Sequence, residues 1–268
     1  MPHKLFQLSD GYLAFETHGE GIPLIFIHGF SFDMRTWDAQ VDQLSRHFCV
    51  IRYDLRGFGK SSLPAGPYSH VKDLLALIDY LSLPSPVLVG LSLGANVALN
   101  YAFDYPAAVR ALVLASSGLP GFQWSELRPP DEVAVVARNH GIEHARQFWL
   151  DHPLFTSTRR SSAAFARVRR MVNDYSGWHW GNTNPTPQIA VVDRLPNCTI
   201  PTLVMSGEQD VLGYRQIAAK LSHDMPRATI MTFPGVGHVI NEEAPAKFSE
   251  AVLNFVRNIA TPPPDTLR

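Results

Sequence analysis

Short apolar, β-branched runs recur along the chain at 24–28, 49–54, 87–90, 111–115, 202–206 and 229–233, each ending in small or polar residues. Nearly continuous hydrophobicity over five or six residues predicts strands covered on both faces, as in a parallel sheet. Between them lie stretches with helical spacing: "VKDLLALIDYLSL" (71–83), "ANVALNYAFDYP" (95–106, halted near Pro106), "YRQIAAKLSH" (214–223) and "PAKFSEAVLNFVRNIA" (245–260). Strand and helix alternate, which predicts a doubly wound α/β domain. Residues 11–18 alternate apolar and polar side chains and predict an edge hairpin strand feeding a turn at "HGEGIP".

The alternation stops between Leu119 and Thr186, where Trp, Arg and Pro accumulate and no good strand is visible. A connection this long inside a compact domain usually carries function. It reads as a helical insertion over the carboxyl ends of the strands, where open sheets bind ligands. The expected organisation is therefore a core in two parts, 1–118 and 187–268, with a helical cap or lid at 119–186 between them. The "TPPPD" stretch near the C-terminus reads as a frayed tail.

Composition adds exclusions. The chain has 268 residues, 46% hydrophobic and 18% charged, which is globular rather than disordered. A formal net charge of −1, spread along the chain, gives no footprint for nucleic acid. No run approaches the roughly 18 apolar residues of a membrane span. The N-terminal stretch lacks the apolar segment of a signal peptide, so a cytoplasmic location is expected. Cys49 and Cys198 sit in apolar surroundings and read as reduced, largely buried thiols.

The candidate chemistry centres on "GLSLG", in which Ser92 stands between Gly90 and Gly94 where a strand becomes a helix. A nucleophilic serine at such a turn lifts its hydroxyl above the sheet in a strained conformation, and bulk two residues away would clash. A serine also needs a base, and the base an orienting acid. Past the next strands, "SGEQD" supplies Asp210 and "GVGHVINEEAP" supplies His238. Glu208 is the competing acid, while Glu242 and Glu243 read as caps of the helix starting near Ala244. The oxyanion formed on attack needs backbone donors: Leu93 offers one, and the turn after "FIHG" offers Phe30. His28 reads as a structural hydrogen-bonding residue, and His3, His18, His47 and His223 as solvated.

Taken together, "FIHGF", "DLRGFGKSS", "GLSLG", "SGEQD" and "GVGHVINEEAP" resemble the α/β-hydrolase superfamily over almost the whole chain. The pattern is most similar to the group of 3-oxoadipate enol-lactonases, cofactor-free haloperoxidase-like esterases and carbon–carbon bond hydrolases. The resemblance implies a mostly parallel eight-stranded sheet, a lid, no cofactor or metal, and a Ser92–Asp210–His238 triad with Phe30 and Leu93 at the oxyanion hole. Leu93 and Ala95 depart from the Met and Gly of many relatives. A serine nucleophile separates the chain from branches that use aspartate. The implied activity is hydrolysis of a carboxylic ester or lactone of a small to medium, largely apolar substrate through an acyl-enzyme. The alternatives are carbon–carbon hydrolysis of a vinylogous diketone by the same residues, and a slow-turnover ligand sensor.

The lid itself matches no family pattern. Its aromatics Phe148, Trp149, Trp178 and Trp180 are candidates, with Phe30, for the substrate pocket. "HGIEH" (140–144) has zinc-peptidase spacing that would put His140 and His144 on one helical face, but Gly141 weakens that helix. "GFGKSS" lacks the first glycine of a phosphate loop. Arg159, Arg160, Arg167, Arg169 and Arg170 read as a solvated helix face over Phe165, Val168 and Met171, or alternatively as steering for a carboxylate substrate.

Overall fold

The computed structural model describes residues 3–182 and 189–260; the expected lid boundary at Thr186 and the proline-rich tail lie outside them. An eight-stranded sheet runs in the order β1 (Lys4–Leu8), β2 (Gly11–His18), β4 (Cys49–Tyr53), β3 (Pro23–Ile27), β5 (Val87–Leu91), β6 (Ala111–Ala115), β7 (Thr202–Gly207) and β8 (Ala228–Phe233). Pairing is antiparallel for β1–β2 and β2–β4, and parallel everywhere else. Every residue of β3, β5, β6 and β7 is buried, which is why those runs read as unbroken hydrophobic stretches.

The core helices are α1 (Asp38–Leu44), α2 (His70–Tyr80) and α3 (Leu93–Asp104), followed late in the chain by α8 (Leu212–Asp224), α9 (Ile240–Glu243) and α10 (Pro245–Ala260). In α10 the buried Phe248, Val252 and Val256 recur every fourth residue and form one stripe against the core. α3 is buried nearly all round, from Gly94 through Ala102, so its pattern is apolar rather than amphipathic. Between β6 and β7 lie α4 (Pro129–His140), α5 (Ile142–Asp151), α6 (Ser162–Asp174) and α7 (Trp178–Gly181). No described residue of that segment is in a strand. No helix among the described residues is long and apolar enough to cross a membrane.

Several local expectations need correction. The hairpin partner of β2 is β1, joined to it at Ser9–Asp10, so β2 is not the edge strand. "HGEGIP" leads instead into β3, which is not a neighbour of β2. The one-sided pattern "KLFQL" is weak because β1 is an exposed edge. β8 is the other edge, and Thr229, Ile230 and Thr232 face outward, so it is not covered on both faces. α1 follows the turn after β3 and was not evident from spacing. Finally, α4 ends at His140 and α5 starts at Ile142, with Gly141 at φ +84° between them, so His140 and His144 belong to different helices.

Candidate active site

β5 ends where α3 begins, and Ser92 occupies the junction at φ 53°, ψ −108°. A non-glycine residue in that region stores strain, which persists only when its surroundings enforce it. Here they do. A Cβ on Gly90 would sit 2.3 Å from the Ala95 nitrogen, and one on Gly94 would sit 2.0 Å from the Ile27 carbonyl oxygen of β3. The Ser92 N–H donates to the Ala115 carbonyl of β6 at 2.8 Å, and its carbonyl accepts from Asn96 in α3 at 3.0 Å. The elbow is thus clamped between two strands and a helix.

Asp210 follows β7 by three residues and His238 follows β8 by five. Both are buried, and His238 Nδ1 lies 2.9 and 3.1 Å from the two Asp210 carboxylate oxygens. The carboxylate accepts a hydrogen bond from Nδ1–H, which leaves Nε2 as the basic nitrogen of the ring. Ser92 and His238 both border one small cavity beneath the insertion. Glu208, the rival acid, accepts from the Gly235 N–H at 2.8 Å and braces the loop before His238.

Glu242 and Glu243 do not cap α10. Glu243 accepts from the N–H groups of Gly237 (2.8 Å) and Val239 (3.3 Å) and from the Thr158 hydroxyl (2.7 Å). It therefore holds both sides of His238, with a contact from the insertion. Glu242 is buried against Arg167 at 2.5 Å. Burial raises its carboxyl above the ordinary range, offset in part by that guanidinium.

Phe30 lies in a turn in which Phe32 N–H donates to the Gly29 carbonyl. His28 anchors this turn. Its Nδ1 lies 2.8 Å from the Gly29 carbonyl, while Nε2 accepts from the Leu55 N–H at 2.9 Å, and burial pushes its pKa down to about 4. It is a neutral structural imidazole. Ser31, at φ 64°, accepts from the Trp149 indole N–H at 2.7 Å. Leu93 is the first residue of α3, so its N–H has no partner within the helix. The N-terminus of α3 favours negative charge beside Ser92.

A larger cavity of about 950 Å³ opens from Ser92 between the core and the insertion, within the usual range for small-molecule sites. Of the aromatic candidates, Phe30 lines it and Trp149 lines only the small cavity. Phe148, Trp178 and Trp180 line neither. Phe148 packs edge-on to His152, Trp178 packs on Tyr68 and His179, and Trp180 is fully buried beside Tyr175. The aromatic walls come instead from Trp124, Tyr68 and Tyr214.

A model of the alpha/beta hydrolase family matches residues 24–251. The chain belongs to the alpha/beta hydrolase family. A thermophilic esterase from Thermogutta terrifontis is 25% identical, with a TM-score of 0.85 over 97% of this chain and 100% of that one. The 2-hydroxymuconate semialdehyde hydrolase of Pseudomonas sp. strain CF600 is 29% identical over 89% of this chain and 88% of its own length. The enol-lactonase of Burkholderia xenovorans LB400 shares the fold, at 23% identity and a TM-score of 0.82 over 95% of this chain and 100% of its own. The motif resemblance to the lactonase, esterase and hydrolase group is borne out.

Within this alpha/beta hydrolase, Tyr214 is the residue of the candidate site that sequence reasoning missed. Its hydroxyl hydrogen-bonds with Ser92, its ring lies 4.3 Å from the His238 ring, and burial pushes its phenol well up, keeping it protonated. "DVLGY" carries no signal for it, because only the first turn of α8 brings residue 214 back over Ser92.

Other motifs have structural roles. In "DLRGFGKSS", Asp54 accepts from the Met34 and Lys60 N–H groups at 2.7 Å each, and the loop serves the turn after β3. Arg160, Arg169 and Arg170 are exposed, whereas Arg159 donates to the Leu150 carbonyl and Arg167 pairs with Glu242. His18 is half-buried beside Glu16 at 3.0 Å rather than solvated. Cys49 and Cys198 are free thiols, pushed up by burial.

Proposed function

We propose that the protein is a cytoplasmic serine hydrolase that cleaves a carboxylic ester or lactone through an acyl-enzyme. The observation that carries this reading is the buried His238–Asp210 pair beside a serine held in a strained, glycine-flanked elbow. Two free thiols fit a reducing compartment. The insertion from residue 119 acts as the lid of the cavity.

In this mechanism Ser92 Oγ attacks the carbonyl carbon while His238 Nε2 takes its proton. Asp210 holds the imidazole tautomer and stabilises the imidazolium. The carbonyl oxygen becomes an oxyanion that accepts from the N–H groups of Leu93 and Phe30, and losing one such donor typically costs about 2.7–4 kcal/mol. Collapse expels the alcohol, which takes the proton back from His238. Water then attacks the acyl-enzyme by the same route, with His238 as base, and frees the acid and Ser92. The similarity to the Pseudomonas hydrolase supports a second reading, the same residues cleaving a carbon–carbon bond of a vinylogous diketone.

The test is turnover of a p-nitrophenyl ester series, acetate to octanoate, by the wild type and Ser92→Ala. Loss of kcat on the order of 10⁶-fold in the variant is expected, by analogy with other serine triads. Equal rates in the two proteins would remove Ser92 as nucleophile. A folded wild type that ignores every ester would favour the carbon–carbon reaction or a sensor.

A further inference from the structure

One wall of the larger cavity is built from Tyr68, His70 and His179, none of which the proposed chemistry uses. His179 is held in place from three sides. Tyr68 and Tyr175 hydroxyls lie 2.8 Å from its Nε2 and Nδ1, and Phe58 stacks on its ring at 4.2 Å. Gly57, at φ +85°, makes room for it, since a Cβ there would lie 2.4 Å from the ring. Burial pushes His179 down to about 3, so it is a neutral, fixed wall.

His70 differs. Its Nδ1 is sealed in packed surroundings with no hydrogen-bond partner among the described residues. Its Nε2 is not sealed in this way and has no hydrogen-bond partner among the described residues, and the ring lines the cavity. Burial and the nearby His179, His28 and Arg56 hold the imidazole well below its ordinary pKa, so it carries one proton. A buried N–H without an acceptor is rarer in proteins than a buried acceptor without a donor. The favoured tautomer therefore keeps the bare lone pair at Nδ1 and directs Nε2–H into the cavity. It is a donor awaiting an acceptor.

The acceptor that fits is a neutral oxygen. The neighbouring guanidinium of Arg56 is already matched by Asp73 and Asp10, each at 2.6 Å, so it is not free to pair with a desolvated carboxylate. Of the other arginines lining the cavity, Arg128 is paired with Asp131 at 2.6 Å and Arg138 lies near the end of α4. Strand order decides which part of the substrate arrives. His238 and Tyr214 follow β8 and β7, on the far side of β5 from β3 and β4, whose following loops carry Phe30 and Tyr68. A leaving group protonated by His238 departs on the β6–β8 side, so the retained acyl part extends toward His70.

We propose that His70 selects substrates whose acyl part carries a neutral oxygen acceptor, a ketone or hydroxyl, beyond the scissile carbonyl. The acyl assignment rests on the serine reading above. The donor itself does not.

The experiment compares p-nitrophenyl 4-oxopentanoate, 5-oxohexanoate and 6-oxoheptanoate, each against the plain alkanoate of equal length. The wild type should prefer the keto ester about three- to tenfold in kcat/KM at one chain length, the span of one neutral hydrogen bond. His70→Leu should bring that ratio to about one, chiefly through KM, and His70→Gln, which retains a donor, should restore part of it. No keto preference at any length, a preference that survives His70→Leu, or a stronger preference for an ω-carboxylate would each overturn the proposal. Calorimetric binding of the same ester pairs to Ser92→Ala, with and without His70→Leu, reads the subsite without turnover. If the wild type hydrolyses none of the esters, the serine reading fails alone, and the binding ratio still decides the role of His70.

Discussion

Two walls of one cavity are built by different means. On the sheet side, Ser92 is fixed by backbone: Gly90 against the Ala95 nitrogen, Gly94 against the Ile27 carbonyl, and the Ser92 N–H on Ala115. On the insertion side, contact with the core runs through side chains. Trp149 donates to Ser31, Thr158 to Glu243, Arg167 pairs with Glu242, and Arg35 pairs with Asp174 at 2.8 Å. Backbone clamps leave no room for a side chain at Gly90 or Gly94 and fix the position of Ser92. Side-chain contacts can be rewritten one at a time, so the insertion can diverge while the elbow stays fixed.

The largest effect that breaks this contrast should come from Gly94→Ala. Its methyl would meet a carbonyl oxygen that cannot move without shifting β3. We expect a loss of at least about 3 kcal/mol in denaturant unfolding, at the upper end of overpacking costs, together with loss of the proposed ester hydrolysis. A smaller loss with full activity would mean that the elbow is less rigid than its contacts indicate.

An intermediate effect is expected from pH. His28 stays neutral in the fold to about pH 4, whereas in the unfolded chain it takes up a proton near its ordinary value of 6.5. The unfolded state therefore binds more protons between these values. Stability is fully present above about pH 6.5 and falls as pH drops through about 4, by about 3 kcal/mol for this group. His70 and His179 shift in the same direction. Thermal melts from pH 7 to 4 should show the loss, and His28→Asn should remove the sheet-side share of the slope. An unchanged slope in that variant would assign the acid sensitivity to His70 and His179 instead.

The smallest effect should come from Trp149→Phe, which keeps the aromatic packing but removes the indole N–H from Ser31. A loss of about 1 kcal/mol in stability is expected. KM should rise more than kcat falls, since the contact braces the Phe30 turn from the insertion. A fall in kcat alone would show that the insertion sets the oxyanion geometry itself.

Much of the sheet side was legible before any coordinates. Unbroken apolar runs exposed the buried parallel strands, and two glycines around a serine marked a turn in which both Cβ positions are filled by backbone. The edge strands β1 and β8 were harder, because a strand with one solvated side gives a short, mixed pattern. Gly141 read as a weak point in one helix through His140 and His144 rather than as the break between two, since spacing alone cannot tell one helix from two.

By itself the sequence determined the doubly wound core, the elbow at Ser92 and the order in which Asp210 and His238 follow it. Those features depend on local periodicity and on glycines whose neighbours lie within a few residues or on an adjacent strand. Only the tertiary structure decided that Tyr214 reaches Ser92, that Glu243 straddles His238, that Phe148, Trp178 and Trp180 stand away from the cavity, and that His70 faces it. Each of those outcomes depends on contacts between residues distant along the chain, where an aromatic ring or an imidazole fits a core and a pocket wall equally well until the neighbours are in place.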